Sequence, residues 1–197
     1  MTFVLVVPPA LTGFAFGRGL FLSMYGEAMS PGASLCAAFF LVFMISFLVM
    51  PLRMALYVQE RAGTNFAITA MGAVINLGLD LLLIPRYGIR GAIAPVAIAI
   101  LATGLLQYVA SRRLMRELDI PWRDLGKVLV ASLPALPAWF FLRGVSQPPL
   151  VLGGIVATAF IQYWLIRRIG VLGKEERELI ASSNLPAKGL IIRVLFG

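Results

Sequence analysis

Histidine is absent from the 197-residue chain, and cysteine occurs once, as Cys36. Those shortages exclude a disulfide framework, a thiolate metal site, His-based general acid–base chemistry and Ser–His or Cys–His nucleophile pairs. No catalytic residue, metal or cofactor is therefore expected, and the chain reads as a non-enzyme. Charge is scarce as well. Only 13% of residues are charged, against about 25% in a soluble domain. A basic n-region is also lacking, because Met1 leads directly into "TFVLVVPPALTGFAFG". No signal peptide is recognised there, and the stretch reads like the middle of a membrane protein.

What the chain has instead is apolar length. Hydrophobic residues make up 60% and the mean hydropathy is +0.91. A spanning helix needs about 20 apolar residues, and six runs of that order stand out: 2–24, broken by Arg18; 31–52; 64–85, broken by Asp80; 91–111; 125–143; and 148–166. The fifth is the weakest, since its uncharged core covers only Val128 to Leu142. Lys127 and Arg143 then have to snorkel, with Trp122 and Trp139 near the interfaces. Pro8, Pro9, Pro95, Pro134 and Pro137 fall inside these runs and predict kinks. The expected fold class is all-α: a polytopic transmembrane bundle of about six spanning helices over 1–168, with consecutive helices forming antiparallel hairpins. Residues 169–197 read as a cytoplasmic amphipathic tail or a disordered terminus. Within it, Lys174–Ile180 suggests a short polar helix, Ser182–Pro186 a turn and Leu190–Phe196 an apolar face.

The net charge of +8 follows from topology. With the C-terminus inside, the inner connections and tail hold Arg53, Arg61, Arg112, Arg113, Arg116, Arg123, Lys127, Arg167, Arg168, Lys174, Arg177, Lys188 and Arg193, while the outer ones hold Arg86, Arg90 and Arg143. Retention of Lys and Arg on the cytoplasmic side fixes that orientation. The expected location is a multi-pass protein of the inner (cytoplasmic) membrane. Because the basic residues are dispersed over several loops, nucleic acid is excluded as a partner.

Four residues are candidates for a substrate or ion pathway: Asp80, Asn76, Arg18 and Gln107. Asp80 lies five residues before Pro85, about 7 to 8 Å below the outer end of its helix. Arg18 also comes late in a segment running the same way, so the two charges are expected at similar depth if the first and third segments are neighbours. A charge in the bilayer costs about 2.5 to 3.5 kcal/mol on insertion scales, which directs Asp80 toward the protein interior. Asn76 shares its face one turn earlier and can bond across helices; Gln107, Thr69 and Thr103 are further polar groups within the spans. Two readings stand: interhelical glue, with Asp80 neutral or paired to Arg18, Arg86 or Arg90; or a pathway lining. Arg18 is either an anion contact or a snorkelling loop-edge arginine. Gly13-Phe-Ala-Phe-Gly17 has GxxxG spacing, which in a chain with 19 glycines carries little weight.

The stretch Tyr57 to Ala99, "YVQERAGTNFAITAMGAVINLGLDLLLIPRYGIRGAIAPVAIA", resembles the signature hairpin of polysaccharide and oligosaccharide-lipid flippases of the multidrug/oligosaccharidyl-lipid/polysaccharide exporter superfamily. The likeness rests on the polar loop Gln59 to Thr64, on Asn76-x-x-x-Asp80, on Leu83 to Gly88 and on Gly91-Ala92 opening the next helix. It extends over about residues 10–115. The resemblance implies part of a two-lobed transporter of the cell envelope that moves a polyprenyl-diphosphate-linked glycan across the membrane by alternating access. Its implied partners are membrane lipid, that substrate, and a missing N-terminal lobe or partner chain. Six segments supply one lobe, so the chain is expected to be a fragment or one half of a pair. A small-molecule or drug exporter of the same architecture and a non-transporting accessory subunit are the alternatives. A membrane-embedded transferase would need a base or metal site that the loops do not offer.

Overall fold

The computed structural model describes residues 2–114, 121–142 and 145–171, together with Glu178 and Ser182. The expected tail beyond 171 lies outside the described residues except for those last two, and Ser182, expected to open a turn, is helical.

All regular structure among the described residues is helical, in the order α1 (Thr2–Tyr25), α2 (Ser30–Val58), α3 (Ala62–Tyr87), α4 (Ile93–Leu114), α5 (Trp122–Ser132), α6 (Ala135–Leu142) and α7 (Pro148–Ile169). Five helical segments are long and apolar enough to cross a membrane. The expectation was six runs, and the difference lies in the third segment. Ala62–Leu114 is one unbroken helical stretch of 53 residues, which if straight would extend about 80 Å, far more than the roughly 30 Å of a hydrocarbon core. It folds back on itself instead. A 3-10 turn at Gly88–Ala92 joins α3 to α4, and the two helices pack side by side.

The residues of that turn explain its sharpness. Gly88 has φ +60° and ψ −149°, a region in which a side chain would strain the backbone. A Cβ on Gly91 would stand 2.5 Å from the carbonyl oxygen of Leu83, so the returning chain passes directly against the end of α3. Pro95 is the third residue of α4, where a missing N–H costs nothing because the first turn has no acceptor for it.

α1 is the hub. It packs against α2, α5, α6 and α7, and α4 reaches it only through α2. The α1–α2 seam is built on the very GxxxG spacing that the sequence reading set aside. A Cβ on Gly13 would collide with the Phe40 ring, and one on Gly17 would come within 3.1 Å of the Ala37 Cα. On its other side α1 meets α7, where Gly154 faces Phe16. Two apolar clusters fill this half: Val7 with Val128, Ala131 and Ile166, and Phe16 with Ala15, Ala135 and Val151. The other half is α2, α4 and α3 in that order. α3 is outermost, burying only Asn65, Ile68 and Gly72 while Val74, Leu77 and Leu81 are exposed.

The hairpin expectation holds for α1–α2 and α3–α4 but not for α4–α5, which are not among the packed pairs. There the chain crosses from one half of the bundle to the other. The prolines divide similarly. α1 continues through Pro8 and Pro9, whereas the expected fifth span is split at Leu133–Pro134 into α5 and α6. Pro134 and Pro137 each lack an N–H donor, and the amides that precede them fall back on tighter bonds: Leu133 N–H donates to the Val130 carbonyl at 3.2 Å and Leu136 N–H to the Leu133 carbonyl at 2.9 Å.

Gly17→Leu should overpack the α1–α2 seam and lower stability by about 1 to 3 kcal/mol. Gly153→Ala, whose Cβ would meet nothing within 4 Å, should leave it unchanged or slightly raised. Thermal unfolding of the two variants in detergent checks the contrast.

Candidate functional site

The break between α5 and α6 creates the first polar station. Because Leu136 bonds to Leu133, the Ser132 carbonyl loses its helical donor, and Gln162 of α7 supplies one from Nε2 at 3.3 Å. The Oε1 of the same amide accepts from the Thr12 hydroxyl of α1 at 2.9 Å. Thr12, Gln162 and Ser132 are all buried, and the Ser132 hydroxyl returns to its own helix at the Val128 carbonyl, 2.7 Å away. One glutamine thus ties three helices together. Thr12 and Gln162 were not singled out in the sequence. Their only signal was being uncharged polar residues inside otherwise apolar runs.

The second station joins the other half. Gln107 of α4 is fully buried and donates from Nε2 to the Oδ1 of Asn65 on α3 at 3.1 Å; one turn later the Ser111 hydroxyl donates to the Leu52 carbonyl of α2 at 3.2 Å. Gln107 Oε1 and Arg53 Nε are shielded from solvent without a hydrogen-bond partner. A buried amide oxygen in that condition calls for a water or ligand donor. Asn65 was missed because it sits next to the polar loop, where an asparagine draws no notice.

The third station is Asn76–Asp80. Here Asn76 Nδ2 donates to Asp80 Oδ2 at 3.0 Å within α3, one turn apart, rather than across helices as expected. Both residues are half-buried, on the stripe of α3 that continues Asn65, Ile68 and Gly72 toward α4. Asn76 Oδ1 and Asp80 Oδ1 are shielded without a hydrogen-bond partner. Thr69 and Thr103 do not bridge helices either; each bonds a carbonyl of its own helix, Thr69 at Asn65 and Thr103 at Ala99 and Ile100.

The four expected pathway residues do not form one cluster. Asn76 and Asp80 come together. Gln107 lies on the α4 face that meets Asn65, whose neighbour level is Gly72 against Thr103, toward the opposite end of α3 from Asp80. Arg18 is half-buried on α1 between Gly17, which faces Ala37, and Gly19, whose Cβ would meet the Val145 carbonyl. α1 and α3 are not among the closely packed helix pairs, so the neighbour relation on which the shared depth of Arg18 and Asp80 was conditional is not met. Two intervening helices, α2 and α4, take the positions that a simple hairpin order would have given to α3. Among the described residues no group of three or more Cys, Asp or Glu side chains is placed to hold a metal ion.

An open groove of about 490 Å³ runs between α1 and α7, lined by Val4, Pro9, Gly13, Ala159, Tyr163 and Ile166 among others, with Thr12 and Gln162 at its floor. Its volume lies in the range of small-molecule and cofactor sites, and its lining is apolar with few polar groups.

Gln162→Leu should remove two interhelical bonds and strand the Ser132 carbonyl, costing about 2 to 4 kcal/mol: roughly 0.6 kcal/mol or more per bond plus the penalty of a buried carbonyl without a donor. Asn65→Leu and Gln107→Leu should each destabilise, while the double variant should cost less than their sum because neither amide is then stranded. Unfolding in detergent by a double-mutant cycle measures both. Comparison of the chain with protein families, curated proteins and solved structures gives no match.

Proposed function

We propose that this chain forms one lobe of a membrane transporter that moves a lipid-linked oligosaccharide or polysaccharide precursor across the cytoplasmic membrane by alternating access. In this reading α3 and α4 each cross the bilayer once, giving six passes with the end of α7 on the cytoplasmic side, where most of the basic residues gather. Rocking around a central site needs two lobes, so these six spans work with a second lobe.

The observation that carries the reading is the α3–α4 hairpin. The residues of the flippase resemblance occupy one device: Asn76 and Asp80 hydrogen-bonded at half-buried positions, then Pro85, Gly88 and Gly91 turning the chain back onto α4. A lipid-linked sugar offers hydroxyl donors to a shielded carboxylate oxygen such as Asp80 Oδ1, and an arginine such as Arg18 offers a cation to a diphosphate. The exposed apolar remainder of α3 keeps the lipid tail in hydrocarbon while the sugar follows a polar path.

Membrane vesicles from cells with and without the chain, assayed for translocation of a lipid-linked oligosaccharide, test this. Loss of the chain should halt translocation, and Asp80→Asn should reduce it about tenfold, the effect of losing about 1.4 kcal/mol. Unaltered translocation on removal of the chain would sink the proposal; unaltered rate and ion dependence in Asp80→Asn would remove Asp80 from it. A reporter fused within the 112–127 connection should be cytoplasmic, and an external signal would overturn the orientation.

A further inference from the structure

The outer side of α7 ends in a cationic cavity that the transport reading does not use. We propose that this cavity binds one anionic glycerophospholipid of the cytoplasmic leaflet, its phosphate at Arg167 and Arg168 and its glycerol end against Trp164. The choice of leaflet rests on the orientation proposed above; the site itself rests on the following geometry.

Val156, Phe160, Trp164 and Arg168 follow one another at four-residue spacing and are all exposed, so they form one line along α7. Trp164 lies about 200° round the helix from Gln162, on the side opposite the buried Thr158, Gln162 and Ile166. The guanidinium carbon of Arg168 stands 5.1 Å from the Trp164 ring centroid, a cation–π contact that holds it over the indole. Trp164, Arg167 and Arg168 together line an open cavity of about 320 Å³. The apolar line and the cavity thus share Trp164 and Arg168 and belong to one surface.

Charge and depth identify the ligand. Among the described residues neither arginine is in an ion pair. α7 contains no aspartate or glutamate, and Asp124 of α5, which shares this end of the bundle through Val128 beside Ile166, is already paired with Lys127 at 3.4 Å. Two unpaired guanidinium groups suit a phosphate, which accepts charge-assisted hydrogen bonds from both. The 22 residues of α7 rise about 33 Å, close to the roughly 30 Å of a hydrocarbon core. Arg167 and Arg168, in its last turn, therefore stand at the level of lipid phosphates, with Trp164 in the interfacial layer that indoles favour. A phospholipid seated here lays its acyl chain along Phe160 and Val156. A soluble anion makes no use of that line, and a zwitterionic lipid brings its own cation toward the arginines.

Native mass spectrometry of the full chain in mild detergent, titrated with phosphatidylglycerol, phosphatidylcholine of the same chain length, or inorganic phosphate, tests the proposal. One phosphatidylglycerol per chain should be retained at a concentration about tenfold lower than phosphatidylcholine requires. Arg167→Gln/Arg168→Gln should erase that preference. Arg112→Gln/Arg113→Gln, which removes the same charge from the last turn of α4, should keep it. Trp164→Leu should reduce it about threefold, because Arg168 loses the ring that holds it. All five substituted residues are exposed, so the fold withstands the changes. Equal retention of the two lipids by the unaltered protein would overturn the proposal without recourse to any variant. An equal loss of preference in the α4 pair, an undiminished preference in Trp164→Leu, or displacement of the lipid by inorganic phosphate would overturn it too. Binding in detergent is blind to leaflet and to transport, so failure here is distinct from failure of the lobe reading.

Discussion

Every backbone carbonyl released inside an apolar layer must find a donor, and in this protein the arrangement of α1, α5, α6 and α7 turns on one such repair. Pro134 and Pro137 split the helix and strip Ser132 of its amide partner; Gln162 restores it and passes the other side of its amide to Thr12. With little water to compete, an unsatisfied carbonyl costs several kcal/mol, so the break is tolerable only where α7 presents that glutamine. α1 is held at the same point, and its glycines then bring α2 close on the opposite face.

The second half of the bundle uses the same logic with less apolar burial. α3 hides little more than Asn65, Ile68 and Gly72, yet Asn65 meets Gln107 there and Gly72 admits Thr103. A helix attached by so narrow a stripe has most of its surface available to lipid or to another helix. The Asn76–Asp80 pair sits toward the turn end of that stripe, with carboxyl and amide oxygens shielded but unbonded. Polar groups in that condition gain from any donor brought to them, which gives the hairpin chemical meaning beyond packing.

Much of this was legible from apolar length alone. The first run, 2–24, became α1 to within a residue, and the 148–166 run became α7 with one extra turn. The α3–α4 turn was marked by Pro85, Gly88 and Gly91, residues whose backbone properties are local. Arg18 and Asp80 were harder. Both were read as charges that need company; Asp80 has Asn76 of its own helix, and which helices stand beside either charge depends on a packing order that adjacency in the chain does not give. Gln162 and Thr12 went unnoticed for the opposite reason: neither is charged, and only the partner across the interface makes either one important.

The sequence by itself determined that the chain is helical and apolar enough for a membrane, the bounds of α1 and α7 to within a turn, and the residues that turn α3 into α4, because each of these follows from hydropathy and backbone geometry within a few residues. Only the tertiary structure decided that α1 is central, that α4 hands over to α5 across the bundle, and that a glycine spacing given little weight in the sequence builds a close-packed seam. Those outcomes depend on which side chains from distant segments fit against one another, and shape complementarity between segments separated by up to 150 residues is not written in either segment alone.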